Sequence, residues 1–186
     1  MNDIERLEAE LRNLPEDYIV LIETTAEKAF EISLAAIRFL ANRNDTGIVI
    51  SANRPYSNLV SIYNKNNIDL SKMFILDCIS KNLNGQIDAP NVHFIENLSS
   101  LTDIALSVNE RINQLRDDGI KKFVFFDSIT TMLIHNKPYV FARFVHSILT
   151  KMRLRGVGGL LISLEDKTNK EIRAEIAQLC DKVIKI

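Results

Sequence analysis

Short, wholly apolar runs alternate along this chain with longer stretches in which apolar residues recur every three or four positions. The first such stretch covers residues 1–14, where Ile4, Leu7, Leu11 and Leu14 fall on one side of a helix and charged residues fill the other. Tyr18-Ile19-Val20-Leu21-Ile22 is continuous in its apolarity, the pattern of a strand covered on both faces. A helix is predicted next, with Phe30, Leu34, Ile37 and Leu40 on its buried side and a polar stop over residues 42–47. Gly47-Ile48-Val49-Ile50-Ser51 predicts a second strand, and Pro55 then suits a first helical turn. Tyr56, Leu59, Val60 and Tyr63 continue that helix at the expected offsets.

Met73-Phe74-Ile75-Leu76 predicts a third strand, followed by a polar loop over residues 80–91 that contains Gly85 and Pro90. Val92-His93-Phe94-Ile95 reads as a fourth. Ser100 with Asp103 resembles a helix start, and Leu101, Ile104, Val108, Ile112 and Leu115 form a stripe that ends before Gly119. Phe123-Val124-Phe125-Phe126 is the most apolar strand and is expected at the centre of the sheet. A helix over residues 139–155 stops at Gly156 and hands over to the strand Gly159-Leu160-Leu161-Ile162-Ser163-Leu164. A last helix with Ile172, Ile176 and Leu179 leads into Lys182-Val183-Ile184-Lys185-Ile186.

Strands separated by helices of this length imply right-handed crossovers and a mostly parallel sheet. The expected architecture is therefore a three-layer αβα domain with an N-terminal amphipathic helix. No repeat, low-complexity tract or linker breaks the pattern. Residues 1–186 thus read as one domain, with the helix at 1–14 and the core at 18–186.

Composition agrees with this. The chain has 186 residues, 46% apolar and 25% charged, enough to bury roughly 70% of the surface its unfolded form exposes without a metal or disulfide staple. A net charge of -1 supplies no global field for nucleic acid or an anionic membrane, so binding to either would need a local patch. Cys78 and Cys180 lack the paired spacings of zinc or redox motifs and read as reduced, mostly buried thiols. The charged start is unlike a signal peptide's apolar core, and no stretch approaches the roughly 18 apolar residues of a membrane helix. These features predict a cytoplasmic protein.

In an open parallel sheet, ligands bind outside the carboxyl ends of the strands. That rule selects Glu23, Thr24 and Thr25 after the first strand and Asn53 and Arg54 after the second. It adds Asp77 and Cys78 after the third, Asp127 and Ser128 after the central strand, and Glu165 after the sixth. Carboxylates gathered at one edge suit a magnesium-nucleotide site, but acids also end strands and cap helices.

Phe123-Val124-Phe125-Phe126-Asp127-Ser128 resembles the Walker B segment of RecA and KaiC-like ATPases, in which the Asp holds magnesium through water. Gly47-Ile48-Val49-Ile50-Ser51, the helix after Pro55 and Ile68-Asp69-Leu70-Ser71-Lys72 resemble the KaiC-like second strand and its continuation. The ending Leu179-Cys180-Asp181-Lys182-Val183-Ile184-Lys185-Ile186 is similar to the family's Ala-Asp-x-Val-Ile close. The likeness covers nearly the whole chain from Tyr18 onward and implies a RecA-like, P-loop NTPase-type sheet. Asn53-Arg54-Pro55-Tyr56, Asp77-Cys78-Ile79-Ser80, Asp127-Ser128-Ile129-Thr130, Arg143-Phe144-Val145-His146 and Met152-Arg153 with Gly156 further resemble a group of archaeal KaiC-like proteins regarded as inactivated RecA-superfamily members.

Against that pattern the departures matter. A P-loop reads GxxxxGK[ST], its glycines letting backbone N–H groups wrap the phosphates while the Lys neutralises them and the hydroxyl binds magnesium. The matching stretch, Ile22-Glu23-Thr24-Thr25-Ala26-Glu27-Lys28-Ala29, has no glycine, and Ala29 stands at the hydroxyl position. Lys28 is at a plausible offset, though it also suits a solvated first-turn side chain. Thr24-x-x-Glu27 has capping-box form, which would occupy the donors that otherwise hold a phosphate. Glu23 and Glu27 would repel a triphosphate. The corner Ala52-Asn53-Arg54 carries none of the glutamates that active KaiC-like proteins use as general base. Asp127 then reads either as a magnesium remnant or as an acid that caps Ser128 and its neighbours.

Lys137, Arg143, Lys151, Arg153 and Arg155 give the helix before Gly156 a basic face that suits a phosphate backbone, an acidic partner or plain solvation. His93, His135 and His146 share no spacing of a metal site or catalytic pair. Three functions remain open on these residues. The first is a non-catalytic regulatory or interaction module needing no cofactor, its partner a protein, another copy or an active RecA or KaiC-like relative. The second is a Mg-ATP-binding protein using Asp77, Asp127, Ser128 and Glu165 around an altered phosphate site. The third, with least support from the charge, is a nucleic-acid-binding recombinase accessory. No membrane partner is expected.

Overall fold

The computed structural model describes residues 2–81, 88–115, 118–165 and 168–186; Gly85, within the expected polar loop, lies outside them. The chain opens with α1 (Asp3–Arg12), capped by Asn2 in a reciprocal arrangement with Glu5. Then follow β1 (Ile19–Thr24), α2 (Ala29–Asn42), β2 (Thr46–Ser51), α3 (Tyr56–Lys65), β3 (Met73–Asp77), β4 (Val92–Phe94) and α4 (Leu101–Gln114). The second half runs β5 (Lys122–Asp127), α5 (Ile129–Ile134), α6 (Pro138–Leu154), β6 (Gly158–Leu164), α7 (Lys170–Leu179) and β7 (Lys182–Lys185).

All pairings are parallel, in the order β4-β3-β2-β5-β6-β1-β7. The expected mostly parallel sheet is thus parallel throughout, and β5 stands at its centre. Alternation along the strands divides the core into two layers. Val20, Ile22, Val49, Ile75 and Phe125 pack with α1, α2 and α3 on one face. Leu21, Ile50, Leu76, Val124 and Phe126 pack with α4, α5, α6 and α7 on the other. The result is a three-layer αβα domain of Rossmann/RecA-like type, with Leu7 and Leu11 of α1 buried against the first face. No helix among the described residues is long and apolar enough to cross a membrane.

Close strand packing explains one glycine. A methyl group at Gly47 would collide with the carbonyl oxygen and ring of Phe123 on neighbouring β5, so the crowded centre of the sheet excludes a side chain there. At the end of α6, Gly156 supplies a positive φ of 62°, which other residues adopt at a cost.

Two local expectations are corrected and one helix is added. The buried side of α2 is formed by Ile32, Ala35, Ala36, Phe39 and Leu40 together with Ile37, while Phe30 is exposed and Leu34 only half-buried. The first turn of α2 begins at Ala29, so its apolar stripe is phased differently from the predicted one. Ser100 precedes α4 without making a side-chain cap. The short α5, not expected from periodicity, follows β5 at once because Ser128 adopts extended geometry and accepts the N–H of Thr131.

Candidate functional site

Register places the strand-end residues on opposite faces. Ser51 of β2 lies between Asp77 of β3 and Asp127 of β5, level with both. All three continue the face covered by α1, α2 and α3, as does Thr24. Glu23 continues the other face, one residue earlier in β1.

Asp77 has no solvent exposure. Its carboxylate accepts the N–H groups of Tyr56 (2.6 Å), Ile79 (2.8 Å) and Ser80 (2.9 Å) and the hydroxyl of Ser80 (2.6 Å). Two oxygens with four donors are saturated. Asp77 therefore anchors the start of α3 to the end of β3 and is closed to a ligand, while Cys78 beside it is buried.

Asp127 lies in a crevice of about 240 Å³ lined by Ala29, Phe30, Ser33, Arg54, Ser128 and Thr131, among others. Its carboxyl accepts from the Asn53 amide at 3.3 Å and interacts with the Ser33 hydroxyl. Burial pushes its pKa above the ordinary carboxylate value, against those two partners and the nearby Arg54 charge. Asn53 in turn accepts from the Thr131 hydroxyl (2.5 Å), which lies 3.3 Å from the Ser128 hydroxyl. The Asp127–Ser128 peptide is cis. The Arg54 guanidinium, also lining the crevice, stands 4.6 Å from the centre of the Phe30 ring in a cation–π contact and donates to Asn58.

Several sequence expectations about this corner change. Thr24 and Glu27 do not form a capping box. Thr24 is the last residue of β1, its carbonyl accepting the Glu165 N–H at 2.8 Å, and its buried hydroxyl has no hydrogen-bond partner among the described residues. The pairing with β6 keeps Thr24 extended, so the chain needs the turn at residues 25–28 before α2 can start. Lys28 precedes that helix without a side-chain cap, and Glu27 is held below its usual pKa by its own backbone N–H and by the Thr25 hydroxyl. Glu23 does not share a charge field with Glu27, because it faces the opposite crevice and pairs with Lys185 (3.2 Å) and Arg173 (3.7 Å). Nor does Asp127 cap the segment after it, a role Ser128 fills.

The structure thus brings Asn53, Arg54, Asp127 and Ser128 together. It sets the other candidates apart. Lys28 is drawn to Asp3 of α1 at 2.8 Å. Thr25 is half-buried in the turn below. Exposed Glu165 lines an open groove of about 520 Å³ with Glu23, Lys170, Arg173 and Lys185. Sequence reasoning missed Phe30, Ser33 and Thr131. Ser33 carried a signal, being the lone polar residue among the buried positions of α2.

These residues do not fit a magnesium triphosphate. The turn from β1 to α2 offers no glycine cradle, the lysine is turned toward Asp3 of α1, and Ala29 brings no oxygen. The space is also below the roughly 300–1,000 Å³ of ordinary small-molecule sites. Among the described residues no group of three or more His, Cys, Asp or Glu could hold a metal ion.

No protein-family model matches the sequence, and no curated protein matches it. The fold is similar to that of the uncharacterized protein PH0321 from Pyrococcus horikoshii, crystallised in complex with an unknown peptide. The two share 16% sequence identity with a TM-score of 0.74, over 98% of this chain and 82% of that one. At this identity the likeness establishes the fold.

Proposed function

We propose that the chain is a non-catalytic, RecA/KaiC-like domain that serves as a regulatory or protein-interaction module and does not hydrolyse ATP. The observation that carries this reading is the refitted corner between β1, α2 and β5. Asp127 is engaged by Asn53 and Ser33, and Arg54 is stacked on Phe30 in the crevice lining. A phosphate chain arriving there would meet no glycine-lined backbone, no lysine in the crevice lining and a desolvated carboxyl group. The order of motifs from Tyr18 onward supports descent from a KaiC-like ATPase whose site was lost. PH0321, similar in fold, holds a peptide, which supports a protein partner, another copy or an active relative as the binding class.

Titration calorimetry with Mg-ATP tests the proposal. The expected result is no heat of binding and no thermal shift. Micromolar Mg-ATP binding that Asp127→Ala abolishes would overturn it in favour of a nucleotide-binding protein with an altered phosphate site.

A further inference from the structure

Away from the crevice, three large apolar side chains stand in solvent within one short stretch. Ile134, Tyr139 and Val140 are 70%, 72% and 51% exposed where α5 ends and α6 begins. Single exposed apolar residues are ordinary, whereas a cluster marks a contact surface. The cluster sits at the carboxyl edge of the sheet, since α5 follows directly from the end of β5 and α6 must return to the start of β6. Ligands of open α/β sheets reach the fold at that edge.

Charge narrows the partner. Between residues 128 and 164 there is no Asp or Glu, against the five basic residues Lys137, Arg143, Lys151, Arg153 and Arg155, in a chain whose net charge is -1. Two of the five have structural partners. Arg153 binds Asp181 (2.9 Å) and the Leu179 carbonyl (2.6 Å), and Arg155 donates to Asn113 (3.0 Å). Among the described residues Lys137, Arg143 and Lys151 form no ion pair, and Asp103 and Glu110 of α4 and Glu171 and Glu175 of α7 make none with α6. Arg143 follows Tyr139 and Val140 by one helical turn, so its charge borders the apolar cluster.

We infer that Ile134, Tyr139 and Val140, with Lys137 and Arg143, form a docking surface for an acidic segment of another protein that carries apolar side chains. The inference rests on the interaction-module reading above and names the partner's chemistry. Nucleic-acid phosphates would satisfy the cations but leave Ile134 and Val140 in water. A second copy would have to offer acids beside exposed apolar groups. The acid-rich α1 does not, because Leu7 and Leu11 are buried and Asp3, Glu8 and Glu10 are paired with Lys28, Arg12 and Lys182; α4 offers a single exposed apolar side chain, Leu106, beside Asp103 and Glu110, against the three of this cluster. An acidic segment with apolar side chains covers both features, the charges steering approach and the apolar contacts setting residence.

The test is titration of the isotope-labelled protein with short synthetic peptides in which Glu alternates with Leu, Ile or Phe, followed by amide chemical shifts. Shift changes centred on residues 134–143 are expected, weakening with added salt. Tyr139→Ser and Arg143→Glu, both at exposed positions, should each weaken binding about tenfold or more with unchanged circular dichroism. Peptides with Lys in place of Glu should not bind. No shift change, changes elsewhere on the surface or equal binding of the Lys peptides would overturn the proposal. So would a single-stranded oligonucleotide that gives the same shifts at lower concentration, or a dimer of the protein alone that Tyr139→Ser dissolves. Mg-ATP plays no part in this titration. A protein silent to both peptide and ATP loses the patch and keeps the module reading, while ATP binding beside an intact peptide response does the reverse.

Discussion

Asp77 and Asp127 occupy equivalent places on either side of Ser51, at the same level of the sheet and on the same face. Both are buried, at 0% and 8% exposure. Asp77 gathers four donors from the start of α3 and the loop after β3. Asp127 has the Asn53 amide at 3.3 Å and the Ser33 hydroxyl, and burial outweighs both in raising its pKa. The same side chain is thus saturated with donors at one strand end and short of them at the other.

The contrast predicts stability changes of opposite sign. Asp77→Ala leaves one buried and two half-buried backbone N–H groups without their acceptor, which should cost about 3 kcal/mol and lower Tm by roughly 10 °C for a chain of this length. Asp127→Asn keeps the shape and removes a desolvated charge, so stability at neutral pH should rise by on the order of 1 kcal/mol. The pH dependence is a matter of linkage. With its pKa raised above the ordinary 3.8, Asp127 binds its proton more tightly in the folded state, and its ionisation destabilises the fold as pH climbs through that window. The advantage of Asp127→Asn in thermal melts should therefore be small at acid pH and grow toward neutrality. A constant difference, or a loss like that of Asp77→Ala, would make the two acids alike after all.

Thr24 extends the comparison to β1. Its hydroxyl is buried on the face that carries Asp127, with no hydrogen-bond partner among the described residues, so Thr24→Val should stabilise by roughly 0.5–1 kcal/mol in denaturant melts. A loss would mean that the hydroxyl is engaged in solution and that this face is better satisfied than Asp127 suggests.

Periodicity carried the layers of this fold but not its corners. Continuous apolar runs located β1, β2, β3, β5 and β6, since strands buried on both faces admit few polar residues. The central place of β5 was legible in Phe123, Phe125 and Phe126. The capping-box reading of Thr24 and Glu27 failed because pairing with Leu164 of β6, a contact distant in sequence, keeps Thr24 extended. The face of Glu23 depended on where β1 ends by one residue, and alternation turns such a shift into a change of side. Asn53, Asp127 and Ser128 were legible as strand-end positions. Their hydrogen-bonded link through Thr131 was not, because it needs α5, a helix too short to show a period.

The smallest expected effect concerns Cys78, which comes directly after Asp77 in sequence. Burial, and then the neighbouring Asp77 charge, push its thiol up to about 12, so at neutral pH it should be nearly inert to disulfide reagents. Cys180 is also pushed up to about 12, by burial first, with Arg153 opposing and Asp181 assisting, but it is only half-buried and should react first. If Asp77 holds the end of β3 closed, Asp77→Ala should quicken Cys78 labelling several-fold through local opening, whereas Asp127→Asn should leave it unchanged. Reagent reaching Cys78 at equal rates in all three proteins would show that the four hydrogen bonds of Asp77 do not close this corner. The carboxylate would then differ from Asp127 in its count of partners but not in its part in the fold.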